Sequence, residues 1–240
     1  MPPPWLWNPF GDPRWQAILA LALAMAAIAG VWMLSPSMAR FMAQMLFTWG
    51  HEFGHYIVGV VTGKAHGITI YPDGSGHAAV SSGSPVLVAA AGPLLPAWAA
   101  ALLIGLGATR VGNAMILAAM ATAIGFTAYL HVADPQVAMA LWAWVGLMTA
   151  IALAPSAPIL RSAAVLVVGL VLMLGTLNGL PTLRVSHIDG DLTRPSDTQV
   201  IADAWTLPLT DVANGLKLLM LAGFGLAAIY TLNWFARHRR

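Results

Sequence analysis

The chain has 240 residues, of which 59% are hydrophobic and 8% charged, with no cysteine and a formal net charge of +2. These figures exclude an ordinary soluble domain, disulfide or thiolate chemistry, and a nucleic-acid footprint, because the basic residues are scattered apart from a terminal group of Arg237, Arg239 and Arg240. A mean hydropathy of +0.76 makes the lipid bilayer the solvent in which the chain folds.

Residues 1–14, rich in proline and carrying Trp5 and Trp7, have the composition of an interfacial leader. Arg14 followed by an alanine-rich run also fits a signal peptide, although no clear cleavage site precedes Ser35-Pro36. Spanning a hydrocarbon core takes about 20 mostly apolar residues per helix. The stretches Trp15 to Leu34, Phe41 to Val61, Pro85 to Leu106, Ala114 to His131, Val137 to Ala154, Ile159 to Leu177 and Val212 to Trp234 qualify. The expected fold is therefore an all-α polytopic membrane protein with about six to seven transmembrane helices, in one membrane-embedded domain over residues 1–240.

Two polar segments interrupt the apolar pattern. In residues 64–84, β-branched residues flank the turn Pro72-Asp73-Gly74, which predicts a short β-hairpin directly after the second span. Residues 181–208 hold Asp189, Asp191, Asp197 and Asp203 among turn formers and read as a polar loop. With alternating helices and a cytoplasmic basic tail, Arg40, Arg110 and Arg161 fall inside, and Arg14, Lys64, Arg184 and Arg194 outside. No repeat of fixed period is visible.

The chemistry is concentrated in His51-Glu52-Phe53-Gly54-His55, an H-E-x-x-H pattern inside the second span. On a helix the two imidazoles stand about 40° apart and roughly 6 Å along one face, so both can grip one zinc ion. Glu52, the only glutamate in the chain, lies one step round the helix, where it reaches a water activated by the metal rather than the metal itself. Three ionisable groups in five membrane-embedded residues are expensive unless a cation offsets them.

Catalytic zinc keeps three protein ligands and one open position, so a third ligand has to come from elsewhere in the chain. Without cysteine, aspartate is favoured and histidine is the fallback. Asp203 is the first choice because Ile201-Ala202-Asp203-Ala204-Trp205 is an apolar setting just before the last span. Asp189 and Asp191 are the runners-up, these two and Asp197 read first as solvated loop residues, and a turn or helix-terminal role competes at Asp203 itself. His66, His77, His131 and His187 lie near segment ends where water is available, and His238 belongs to the basic tail.

Four pieces together resemble the site-2 protease family of intramembrane zinc metalloproteases, in particular its small bacterial multi-pass branch. They are His51 to His55; Gly63-Lys64 leading to Ile70 through Gly76; Ala90-Ala91-Gly92-Pro93; and Ala202-Asp203-Ala204. The resemblance implies His51 and His55 as zinc ligands, Glu52 as the group that activates water, Asp203 as the third ligand, and a helix bundle around a wet site. Better-known members carry that aspartate in an Asn-Pro-Asp-Gly-like or Leu-Asp-Gly-like stretch, whose nearest echo here is Ile188-Asp189-Gly190. The expected activity is hydrolysis of a peptide bond in or near a transmembrane segment of a membrane protein or peptide substrate, at a bacterial cytoplasmic membrane. A catalytically silent metal-binding scaffold and an ion channel or transporter are the competing readings; nucleic acid is not an expected partner.

Overall fold

The computed structural model describes residues 12–109, 112–154, 158–187 and 195–237. The expected leader falls almost wholly outside this set. The elements are α1 (Pro13–Leu34), α2 (Pro36–Thr62), β1 (Lys64–Ile70), β2 (Gly76–Ser82), α3 (Pro85–Thr109), α4 (Asn113–His131), α5 (Pro135–Leu153), α6 (Pro158–Gly179), α7 (Asp197–Trp205) and α8 (Leu209–Arg237). Five of these helices open on proline, whose fixed φ suits the first helical turn and whose missing N–H costs nothing there. Asp12 and Asp134 accept backbone N–H bonds at the starts of α1 and α5.

Each of the seven anticipated spans coincides with a helix. Six helices, α1, α3, α4, α5, α6 and α8, are long and apolar enough to cross a membrane. The motif helix α2 is not among them, since Arg40, Gln44, His51, Glu52 and His55 dilute its apolar content, yet its 27 residues extend roughly 40 Å. The protein is thus an all-α multi-pass integral membrane protein with one small antiparallel hairpin. Large apolar side chains such as Met33, Met115, Tyr129, Leu153 and Leu218 point outward, as a lipid-facing surface requires.

At the centre lies α3, packed on α2, α6, α7 and α8; α4 pairs with α5, and α1 lies on α6. In lipid there is little hydrophobic drive between helices, so close approach depends on small residues. A methyl at Gly54 of α2 would come to 2.8 Å of the Ala91 carbonyl carbon on α3, and one at Gly169 of α6 to 3.0 Å of Ile104. Met45, Leu46 and Trp49 of α2 join Leu103, Leu117, Leu141 and Leu172 in the main buried cluster.

The hairpin folds back along α2. Its register pairs Ile68 with Ala78 and Ile70 with Gly76, and the turn closes with the Gly74 N–H donating to the Tyr71 carbonyl at 3.0 Å. Gly74 has φ +89°, which favours glycine. Its carbonyl accepts from Thr48 Oγ1 at 2.7 Å, so the tip is bonded to the polar stripe of α2 rather than left bare in lipid. The segment 181–208 departs from the loop reading: it contains a 3-10 turn at Pro181–Arg184 and the helix α7. Ser196 caps α7 by accepting from the Gln199 N–H, and Thr198, Ile201 and Ala202 are buried.

Because the α2 and α3 backbones touch at Gly54, Gly54→Ala is expected to destabilise the bundle by about 1–3 kcal/mol, read as a lower midpoint in detergent thermal unfolding. Gly146→Ala, where nothing lies within 4 Å, is expected to leave the midpoint unchanged or slightly raised.

Candidate active site

His51 and His55 stand one turn apart on α2, and His55 lies two turns before the helix end at Thr62, roughly 10 Å inside it. Their rings meet edge to face with centroids 4.8 Å apart, and the two Nε2 atoms are 3.2 Å from each other. A third group completes the cluster. Asp197 Oδ2, from the first residue of α7, lies 3.1 Å from His51 Nε2 and 3.3 Å from His55 Nε2. Three ligand atoms at such separations suit one cation, because zinc bonds of about 2.0–2.1 Å at tetrahedral angles place ligands roughly 3.3 Å apart.

The hydrogen bonding orients the ring for this role. His55 Nδ1 is 2.7 Å from the Val88 carbonyl of α3, and a carbonyl only accepts, so Nδ1 carries a proton and Nε2 is the nitrogen left to meet Asp197. At 3.3 Å from the carboxylate oxygen, Nε2 needs a positive charge on it, either a second ring proton or a metal ion.

Room for that charge comes from α3. A methyl built on Gly92 would overlap His55 Nε2 and Cε1 and come to 2.9 Å of His51 Nε2. Pro93 and Pro96 supply no N–H, so α3 loses two internal hydrogen bonds around this turn. Glycine at 92 therefore keeps the face of α3 bare where the imidazoles converge.

Glu52 stands outside the three-ligand group and is 5% exposed. It lies under the hairpin: a methyl on Gly76 would come to 2.9 Å of Glu52 Cγ and 3.1 Å of Oε1. The carboxylate thus sits between the metal-type cluster and the start of β2.

The expected third ligand, Asp203, is not in the cluster. It lies six residues after Asp197 on α7, about 150° round the helix from the centre of the buried face. Its side chain is exposed and accepts from Gln199 Nε2 at 2.6 Å. Asp189 and Asp191 lie outside the described residues. Asp197, read from the sequence as a solvated loop residue, takes the inward place. Its signal was the Ser196-x-x-Gln199 start of a helix whose Thr198, Ile201 and Ala202 are buried, which puts residue 197 in a docked first helical turn rather than in a loop. None of the other described histidines joins the three-residue group: His66 bonds Ser81 Oγ at 2.7 Å, His131 packs on Tyr56, His187 contacts Ser186, and His77 of β2 interacts electrostatically with Glu52.

Comparison with protein families matches residues 19–235 to the family model described as Peptidase M50B-like. Comparison with curated proteins and with solved structures gives no significant match. With the match covering nearly the whole chain and a His, His, Asp group seated in its membrane bundle, the protein belongs to the Peptidase M50B-like family, the site-2 protease group of membrane-embedded metallopeptidases.

Proposed function

We propose that the protein is a zinc endopeptidase that cuts a peptide bond in or beside a transmembrane segment of a membrane protein, at a bacterial cytoplasmic membrane. The observation that carries this reading is the triangle of His51, His55 and Asp197 beside Glu52, about two helical turns inside a membrane bundle. His51, His55 and Asp197 would hold the ion, with the Val88 carbonyl fixing the His55 ring. When bound, zinc supplies acidity to water and polarises the scissile carbonyl.

The chain's own residues do the rest. Glu52 takes a proton from the attacking water and passes it to the leaving amine nitrogen as the C–N bond breaks. Its burial beside Gly76 keeps bulk water away from that proton. A substrate helix hides its peptide bonds in its own hydrogen bonds, so it has to unwind locally before attack. The hairpin over Glu52 is suited to receive the unwound strand, because an exposed sheet edge replaces the lost bonds with intermolecular ones.

Glu52→Gln is expected to keep full zinc content in metal analysis of purified protein while its cleavage of a membrane substrate falls by about 10²–10⁴-fold. Undiminished cleavage by that variant contradicts the role. Asp197→Asn is expected to lose zinc at concentrations where Asp203→Asn stays loaded; equal retention removes Asp197 from the ligand set. Gly92→Ala is expected to empty the site for steric reasons while far-ultraviolet circular dichroism stays helical, and zinc retained at wild-type stoichiometry would refute the cradle.

A further inference from the structure

At the opposite end of the bundle from the metal-type site, the first turns of α4 and α6 enclose an open cavity of about 460 Å³ lined by Gly112, Asn113, Ala114, Met115, Pro158 and Arg161. Two buried polar atoms there lack partners. Arg161 donates through one terminal nitrogen to the Ala154 carbonyl, but its Nε is buried and unbonded, and no carboxylate pairs with it among the described residues. Asn113, only 4% exposed, donates Nδ2 to Ser162 Oγ at 2.9 Å and leaves Oδ1 without a donor. The Asn113 amide is thus short of a donor and the Arg161 guanidinium short of an acceptor, and both residues line one cavity at the ends of two long apolar helices.

A second open cavity, of about 410 Å³, lies between α4 and α5, lined by Ala118, Ala121, Gly125, Trp142 and Thr149 among others, and is mostly apolar. One stripe of α4 runs from the first cavity to the second. Ala114 lines the polar cavity, and Ala118, Ala121 and Gly125 follow it at helical spacings of four, seven and eleven, on one stripe of α4. On α5, Ala152 and Leu153 line the groove and the next residue, Ala154, holds Arg161.

We propose that this junction binds one glycerophospholipid: its phosphodiester accepts from Arg161, a headgroup hydroxyl or ammonium donates to Asn113 Oδ1, and one acyl chain fills the groove between α4 and α5. A soluble phosphate satisfies Arg161 but leaves the groove empty, whereas a lipid fills both. Helix order brings Arg40 and Arg237 to the same end of the bundle, which adds attraction for an anionic headgroup.

Native mass spectrometry and thermal unfolding of the full chain in detergent, with added phosphatidylglycerol, test this. Wild-type protein is expected to retain one phosphatidylglycerol and to unfold at a higher temperature with it. Phosphatidylcholine, which has no headgroup donor, is expected to bind more weakly, and diacylglycerol or inorganic phosphate to give no shift. Arg161→Gln is expected to weaken phosphatidylglycerol binding roughly tenfold to a hundredfold, the worth of a hydrogen bond to a charged group. Ala118→Leu changes an exposed groove position, leaves the Arg161 bond intact, and is expected to weaken binding by about tenfold or more. The proposal is overturned if both variants bind phosphatidylglycerol like wild type, if diacylglycerol stabilises equally, or if inorganic phosphate alone reproduces the shift.

Discussion

Two imidazole lone pairs and a carboxylate cannot converge in a membrane interior unless a positive charge sits among them, and the fold is arranged around that constraint. Isolated ionisable groups at membrane depth cost several kcal/mol each and tend to neutralise. Here His51, His55 and Asp197 approach within 3.1–3.3 Å, on elements that come from distant parts of the chain. What allows the meeting is backbone proximity. Gly54 lets α2 lie against Ala91, and Gly92 leaves α3 bare where a side chain would displace both rings. The same approach brings the Val88 carbonyl to His55 Nδ1, which fixes the tautomer. Helix packing and ring orientation therefore share one set of small residues on α2 and α3.

The hairpin and α7 then close the site from two sides. The hairpin tip is bonded to Thr48 and its second strand starts over Glu52, so a β-structure survives beside a membrane helix because α2 supplies polar partners. The short helix α7 rests on the first turns of α3 through Ile201 and Ala202, and carries Asp197 at its first residue. A carboxylate at the end of a nine-residue helix is positioned by docking rather than by the rigidity of a long span.

Much of this was legible from residue order. Apolar runs of membrane length fix the seven long helices, and prolines mark where five of the helices begin. The His51 to His55 spacing alone places two imidazoles together, and the Pro72-Asp73-Gly74 turn marks the hairpin. The third ligand was not legible in the same way. Asp203 stands in the more apolar local sequence, but helical phase turns it to the exposed face, where Gln199 takes its carboxylate. Asp197 looks solvated in sequence because the Ser196-x-x-Gln199 pattern marks a helix start but not its docking on α3, about a hundred residues away, which brings the carboxylate to His51 and His55. The importance of Gly92 was likewise hidden, since its role is the space it leaves free.

The central claim is a cation held by two imidazoles and one carboxylate in a site without sulfur. X-ray absorption spectroscopy at the zinc edge of the metal-loaded protein tests it most directly. The account predicts two imidazole scatterers, the remaining ligands oxygen, and metal–nitrogen distances of about 2.0–2.1 Å, falling to one imidazole in His55→Ala. A first shell with three imidazoles, or one made of oxygen alone, would contradict it.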